Sequence, residues 1–336
     1  MVIGLVFACG HAGHAVGQVV DKPPQASEAE KGRILEMQGP IPRVHDPVLA
    51  KENGVYYLFS TGRGITVYTS PDMVTWQRQG RAFEQPMAWT ATTIPGSRDH
   101  YWAPDIIFFN GRWHLYYSVS TFGKNHSVVG LATNITLDPA RPDYEWKDAG
   151  PVIESKPGDD WNAIDPNIVL DENGQPWLSP GSFWSGIKLV KIDLATGKPA
   201  KDAQIHALAS RPRTPDIQGS IEGPYIMRRG GFYYLFASFD FCCRGANSTY
   251  NIRVGRAAVT GPYLDREGKA MLDGGGTLVL SGSGRWRGPG HNSIYRENGT
   301  DWLVYHAYDA EDNGLSKLRV ESLQWDAAGW PHAPSL

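Results

Sequence analysis

The sequence predicts an all-β chain folded as a five-bladed β-propeller, on three observations. A short pattern of polar entry, glycine turn and aromatic strand returns five times. Its copies lie about 60 residues apart, room for one small sheet each, as in closed repeat architectures. No stretch carries the sustained 3.6-residue apolar period of a long amphipathic helix. Radial repetition of small sheets leaves only short, protected edges, and this is the arrangement of a propeller.

The first copy reads Val44-His45-Asp46-Pro47-Val48, the turn Asn53-Gly54, then Tyr56-Tyr57-Leu58-Phe59-Ser60. The second is Pro104-Asp105-Ile106-Ile107, Asn110-Gly111 and His114-Leu115-Tyr116-Tyr117-Ser118. The third is Ile164-Asp165-Pro166-Asn167-Ile168, Asn173-Gly174 and Pro176-Trp177-Leu178-Ser179. The fourth is Ile221-Glu222-Gly223-Pro224-Tyr225, Gly230-Gly231 and Tyr233-Tyr234-Leu235-Phe236-Ala237-Ser238. The fifth is Gly290-His291-Asn292-Ser293-Ile294, Asn298-Gly299 and Trp302-Leu303-Val304-Tyr305-His306. Asn-Gly and Gly-Gly between such runs are the turn signals of a β-hairpin. A third strand follows in every copy, over residues 65–69, 127–133, 186–193, 251–257 and 317–323, rich in small and β-branched residues.

Before the ring, residues 2–9 form a short apolar run followed by Ala12-Gly13-His14-Ala15, which suits a signal-peptidase site. The run is too short to span a membrane as a helix, and no Lys or Arg precedes it. Residues 1–20 are therefore expected to be a leader and the protein secreted or periplasmic. Cys9 makes a poor lipoprotein match because Phe7 stands two residues before it. Residues 21–40, polar with Pro23-Pro24, are expected to be a linker, and residues 41–336 a single propeller domain.

The formal charge is −3 and the pI about 6.4, with no basic cluster longer than Arg228-Arg229, so neither nucleic acid nor an anionic membrane is an expected partner. The 12 Trp and 15 Tyr have two readings, faces for sugar rings or packing between blades. Cys242 and Cys243 are adjacent, and two free buried thiols are the expectation, since neighbouring cysteines pair only through a small ring.

Each copy carries an ionisable residue near its start: Asp46, Asp105, Asp165, Glu222 and His291, at intervals of 59, 60, 57 and 69 residues. Proline beside them places these residues at strand entrances. Any one acid there could cap a turn, but four in consecutive repeats point to a shared pocket at the ring mouth. Carboxyls converging in a pocket push each other's pKa values apart, leaving one protonated and another ionised. Glycoside hydrolysis requires that pairing, with an acid for the leaving oxygen and a base for water.

At this level the residues resemble glycoside hydrolase family 43 and, within it, the α-1,5-L-arabinanases, over roughly residues 40–332. The resemblance rests on His45-Asp46-Pro47, Tyr101-Trp102-Ala103-Pro104-Asp105, residues 116–125, Trp161-Asn162-Ala163-Ile164-Asp165-Pro166, residues 181–186, Ile221-Glu222-Gly223-Pro224, Cys242-Cys243-Arg244-Gly245 and Gly288-Pro289-Gly290-His291-Asn292. It implies a five-bladed propeller with an inverting active site at its centre, probing arabinan and arabino-oligosaccharides. It implies Asp46 as general base, Glu222 as general acid and Asp165 as the carboxylate that orients the acid and holds its pKa up. Asp105, Gly123, Asn162, Ser182 and Trp184, with Asp46 and Asp165, match substrate-contacting stretches. It further implies a central calcium ion held by His291 and waters. By residue type alone His291 reads equally as a hydrogen-bonded pocket histidine, since calcium prefers several oxygen ligands.

Endo action on arabinan is the favoured expectation, with a monomeric enzyme. An exo-acting arabinofuranosidase or a β-xylosidase would use the same three carboxylates. A non-catalytic sugar-binding propeller would need no base, acid and third carboxylate together.

Overall fold

The computed structural model describes Met1 and residues 32–334. The expected leader and residues 21–31 of the expected linker lie outside the described residues. Among the described residues five blade sheets follow one another in chain order, a two-stranded pair of Gln324–Trp325 and Pro331–His332 follows them, and the longest helix is the four residues Thr90–Thr93. Blade I is Val48–Glu52, Val55–Ser60, Thr66–Ser70 and Gln77–Arg81; blade II is His100–Phe109, Arg112–Val119, Ser127–Asn134 and Lys147–Ser155. Blade III is Asn167–Leu170, Pro176–Ser179, Ile187–Lys191 and Ile205–Ala209; blade IV is Ile221–Arg229, Phe232–Phe239, Asn251–Ala257 and Thr277–Ser281. Blade V has Trp286–Glu297, Thr300–Asp309 and Leu315–Ser322. All pairings within the blades are antiparallel. The inner strands touch one another in sequence around the ring, and that of blade V returns to that of blade I. The chain is a five-bladed propeller, as its repeat predicts.

The core is divided the same way. Five apolar clusters lie between successive blades, one per seam. The second strand of each blade feeds two seams by strand alternation, because successive side chains point to opposite faces. In blade I, Tyr56 and Leu58 face blade V while Tyr57 and Phe59 face blade II. In blade IV, Tyr233 and Leu235 face blade III while Tyr234 and Phe236 face blade V. These strands are buried on both faces, which is why they read as unbroken apolar runs rather than alternating ones. Most of the tyrosines singled out in the repeats serve this packing: Tyr101, Tyr116, Tyr117, Tyr233 and Tyr234 are all buried.

Residues 32–40 do not hang free as a linker would. Ile34 bridges Glu321, the Leu35 amide donates to Val320 O at 2.9 Å, and the Ser322 amide donates to Arg33 O at 2.8 Å. Leu35 is buried in the seam between blades V and I. The segment thus lies along the outer edge of blade V, whose own sheet has three strands, and supplies the fourth.

Candidate active site

Each inner strand has one residue in the left-handed region, just before its start or at an irregularity in its pairing: Asp46 (φ 55°), Ala103 (43°), Asp165 (58°), Gly223 (57°) and His291 (46°). Four of them precede proline, at Pro47, Pro104, Pro166 and Pro224. Non-glycine residues held there cost about 1–3 kcal/mol each and gather where the surrounding fold over-determines them. Gly223 has a second constraint, because a Cβ on it would meet His291 Cγ and Nδ1 at 3.1 Å.

The amides of four of these residues are held by the preceding blade. Asp46 N–H donates to His306 Nδ1 (3.1 Å), Ala103 N–H to Thr61 Oγ1 (2.7 Å), Asp165 N–H to Ser118 Oγ (2.9 Å) and His291 N–H to Ser238 Oγ (2.7 Å). The pattern breaks once. Gly223 N–H donates to Asp165 Oδ2 at 3.2 Å, while Ser179, the counterpart of Ser118, turns its hydroxyl to Lys188 O.

This register corrects the one read from sequence. Asp46, Asp165 and His291 do occupy equivalent points, but Glu222 stands one residue before its blade's point and Asp105 two residues beyond. In a strand an offset of one turns a side chain to the other face, whereas an offset of two keeps the face and moves it along the strand, and the partners differ accordingly. Asp105 Oδ2 accepts Asn167 Nδ2–H (2.9 Å) and the Ile168 amide (2.7 Å), while Asn167 Oδ1 accepts the Ile226 amide (2.8 Å). Asp105 therefore begins a strap across blades II, III and IV. Burial pushes its carboxyl up to about 7 against those two hydrogen bonds.

Asp46 is the most heavily partnered of the central acids. Its Oδ1 lies 3.0 Å from His45 Nδ1 and 3.1 Å from His291 Nδ1, and its Oδ2 accepts the Thr61 hydroxyl at 2.5 Å. Burial raises its pKa, yet His291 and His45 outweigh that and hold it well below the ordinary carboxylate value. A carboxylate has about four acceptor positions, so one stays available on Asp46. His291 is the counterpart: burial lowers its pKa, and the carboxylates of Asp46, Asp165 and Glu222 raise it to about 9. His306, fully buried, is pushed well below the ordinary value by burial and by His45.

Glu222 is bracketed by two hydroxyls: Ser182 Oγ donates to Oε2 at 2.6 Å and Tyr250 Oη donates to Oε1. Asp165 feels the charges of both Glu222 and Asp46. Burial, then the carboxylates of Glu222 and Asp46, push it up to about 8 against the pull of His291 and the Gly223 amide. The expected distribution was an ionised Asp165 beside a raised acid. In the structure burial and the two neighbouring carboxyls act on Asp165 itself and favour its protonated form.

The remaining expected residues sit around this centre. Asn162 is buried three residues before Asp165, and its Oδ1 has no partner; both amide atoms of Asn292, beside His291, are likewise unpartnered. Gly123 (φ 74°) is in the exposed turn closed by Lys124 N–H to Thr121 O, next to Phe122, which is 84% exposed. Trp184 lines a cavity of about 490 Å³ with Phe183, Arg213, Thr214, Pro215 and Gln218. A second cavity of about 480 Å³ is lined by Tyr250, Asn247, Arg253, Arg287 and neighbours. The two hydroxyls holding Glu222 thus each stand beside or within one seat of a cavity's lining. No hydrogen bond or ring contact joins Gly123 or Trp184 to the central acids among the described residues.

Three groups missed by sequence reasoning complete the site: Thr61, Tyr250 and Tyr308. Tyr308 Oη lies 2.7 Å from His45 Nε2 and accepts the Cys243 amide at 2.8 Å. Cys242 and Cys243 form a disulfide with Cys243 exposed, where free buried thiols were expected; Cys243 adopts φ 66°, which brings the adjacent side chains together. As for metal, His45, Asp46 and His306 offer ligand atoms within 4.8 Å of one another and could hold an ion. The expected ligand, His291, is not in that trio and contacts it through Asp46.

Comparison with known proteins gives one reading. The family model for glycosyl hydrolases family 43 matches residues 38–331. The chain is 50% identical over 296 residues to an extracellular exo-α-(1→5)-L-arabinofuranosidase of Cellvibrio japonicus, covering 86% of this chain and 85% of that one. It is 45% identical over 293 residues to an extracellular endo-α-(1→5)-L-arabinanase of Bacillus subtilis, covering 86% and 87%. A solved α-L-arabinanase of Cellvibrio cellulosa in complex with arabinohexaose superposes with a TM-score of 0.84 at 49% identity, covering 87% of this chain and 96% of that one.

Proposed function

The chain belongs to glycosyl hydrolases family 43, and on that premise we propose that it hydrolyses α-1,5-L-arabinofuranosyl linkages within arabinan, with inversion at the anomeric carbon. One observation carries the reading: three buried carboxyls with unlike surroundings. Asp46 is flanked by two imidazoles and the Thr61 hydroxyl, Glu222 is held by two hydroxyls, and Asp165 meets the Gly223 amide.

Asp46 is the base. Its spare acceptor position takes a proton from the attacking water, and His45, His291 and Thr61 keep the carboxylate fixed while it does so. Glu222 is the acid that protonates the leaving glycosidic oxygen, oriented by Ser182 and Tyr250. The charge of Glu222 disfavours ionisation of Asp165, which orients the acid from its other side through the Gly223 amide. When Glu222 gives up its proton, the imidazolium of His291 steadies the charge that remains. Asn162 and Asn292, with unpartnered polar atoms, are fitted to receive sugar hydroxyls, and the aromatic wall at Phe183 and Trp184 suits a furanose face.

Calcium is part of the proposal. A neutral His291 would keep its Nδ1 on Asp46 and offer Nε2 to an ion in place of the proton it otherwise carries, with water completing an oxygen-rich shell; the unpartnered Nε2 of His306 is a second nitrogen an ion could use. Such an ion would add positive charge beside the acids. Secretion, as for the relatives named extracellular, and a monomeric state are also proposed.

Exo action is the second reading, favoured by the 50% identity to an exo-acting relative. Sizing the products of linear and debranched arabinan in the first minutes of reaction separates the two. A ladder of oligosaccharides supports internal cleavage; a single short product from the outset overturns it.

A further inference from the structure

We propose that Tyr308 is a positioning residue for Asp46, acting through His45 and anchored by the ring that Cys242 and Cys243 close. The inference rests on Asp46 being the base. Its basis is a chain of hydrogen bonds that joins the Cys243 amide, Tyr308, His45 and Asp46. The Cys243 amide can only donate, and it donates to Tyr308 Oη at 2.8 Å. The phenol, accepting there, keeps its own proton to give, and its Oη lies 2.7 Å from His45 Nε2. When Tyr308 donates to Nε2 of a neutral His45, the imidazole proton is left on Nδ1, which lies 3.0 Å from Asp46 Oδ1. Tyr308 therefore selects the His45 tautomer that donates to Asp46.

The rings are held as well as the protons. His45 stacks on His306 at 3.9 Å between centroids, and Tyr308 meets both rings edge-on, at 5.8 Å from His45 and 5.4 Å from His306. Tyr308 is buried, and burial keeps its phenol neutral and able to donate. Ser248, whose Oγ accepts the Arg244 amide, is another hydroxyl beside Tyr308. The outer anchor is the loop between the second and third strands of blade IV, where the bonded cysteines and φ 66° at Cys243 direct its amide to Tyr308. The chain thus runs from blade IV through blade V to the entrance of blade I.

The test measures kcat and KM on a linear arabino-oligosaccharide, with melting followed by circular dichroism. Tyr308→Phe should lower kcat at least about tenfold with KM within about twofold, since small displacements of a catalytic group cost up to about a hundredfold. His45→Asn, whose side-chain amide can replace the Nδ1 donor, should retain more activity than His45→Ala; this pair carries the test if Tyr308→Phe does not fold. Dithiothreitol, giving up two electrons and two protons as it cyclises, converts the disulfide to two thiols. That treatment should lower kcat of the parent enzyme and have no further effect on Tyr308→Phe. Parental kcat in Tyr308→Phe, or equal activity in the two His45 variants, overturns the relay. Reduction that leaves the parent unchanged, or harms both proteins alike, overturns the anchor. Asp46→Asn distinguishes the underlying reading: if it keeps parental kcat, the base assignment itself fails, whereas an inactive Asp46→Asn beside a fully active Tyr308→Phe sinks the relay alone.

Discussion

The carboxylate of Asp165 accepts the amide of Gly223 at 3.2 Å, so the third acid is hydrogen-bonded to the backbone of the residue that follows Glu222. At the other strand entrances the amide is met by a hydroxyl or an imidazole. Here a carboxyl replaces it, which ties the position of the proposed acid to Asp165.

Asp46→Ala and Glu222→Ala should each lower kcat/KM on arabinan by about 10²–10⁴, the usual contribution of a positioned acid or base. They should part company on an aryl arabinofuranoside whose leaving group needs no proton. Glu222→Ala should be largely spared there and Asp46→Ala should not. Equal losses on that substrate would contradict the division of roles.

Asp165 gives stability a slope opposite to that of most acids. Its pKa in the fold is about 8 against an ordinary 3.8. Between those values the folded chain binds a proton that the unfolded chain does not, so this group's contribution falls as pH rises from about 4 to about 8. Asp165→Asn removes the penalty. Its melting temperature should exceed the parent's on the order of 5 °C at the alkaline end and converge with it towards the acidic end, while activity is lost. Calorimetry across that range decides; an advantage independent of pH would point to some other cause.

Asp46 and Glu222 enter from blades I and IV, which are not adjacent in a ring of five. Inverting enzymes hold their two carboxyls about 6.5–9.5 Å apart to admit water, whereas retaining ones hold them about 5 Å apart. Inversion is therefore expected. Proton NMR of the first product, recorded before mutarotation, reads it, and a retained configuration would exclude Asp46 as a base acting on water.

If an ion sits at His291, exhaustive chelation should depress activity or the melting temperature, and calcium should restore them. His291→Ala should resemble the chelated protein. Elemental analysis finding no metal in a fully active preparation would leave His291 as the cation beside Asp46 and nothing more.

Away from the site, buried Asp301 accepts hydrogen bonds from Arg229 (3.0 Å), Arg296 (2.5 Å) and Trp325 Nε1 (3.0 Å). Both arginines are partly exposed, so removing the acid leaves them access to water. Asp301→Ala should cost about 2 kcal/mol, the range for hydrogen bonds to a charged group. Chemical denaturation, with activity unchanged below the transition, checks it.

Much of this was legible in the sequence because it repeats. The turns at Asn53-Gly54, Asn110-Gly111, Asn173-Gly174, Gly230-Gly231 and Asn298-Gly299 mark the hairpins, and the apolar runs beside them fall on strands packed on both faces. Register within the repeat was harder. Aligning the ionisable residues placed Glu222 and Asp105 level with Asp46, but the left-handed residue before proline is the true marker, and it sets them one and two positions off. Tyr250 and Tyr308 carried no signal at all. They lie at or within strands like the many tyrosines of the seams, and only the third dimension distinguishes a phenol that meets Glu222 or His45 from one that packs.

The pairing of residues 33–35 with residues 320–322 also bears on how the chain folds. Ile34 and Glu321 are 287 residues apart, so the contact is among the most distant in sequence that the ring possesses. Closing a loop of that length costs about 5 kcal/mol in chain entropy, and during synthesis the early segment has no partner until the last blade has left the ribosome. The ring should therefore be sealed late, after its blades are formed, and an intermediate with blade V's outer edge unpaired should be the species most prone to associate with its own kind.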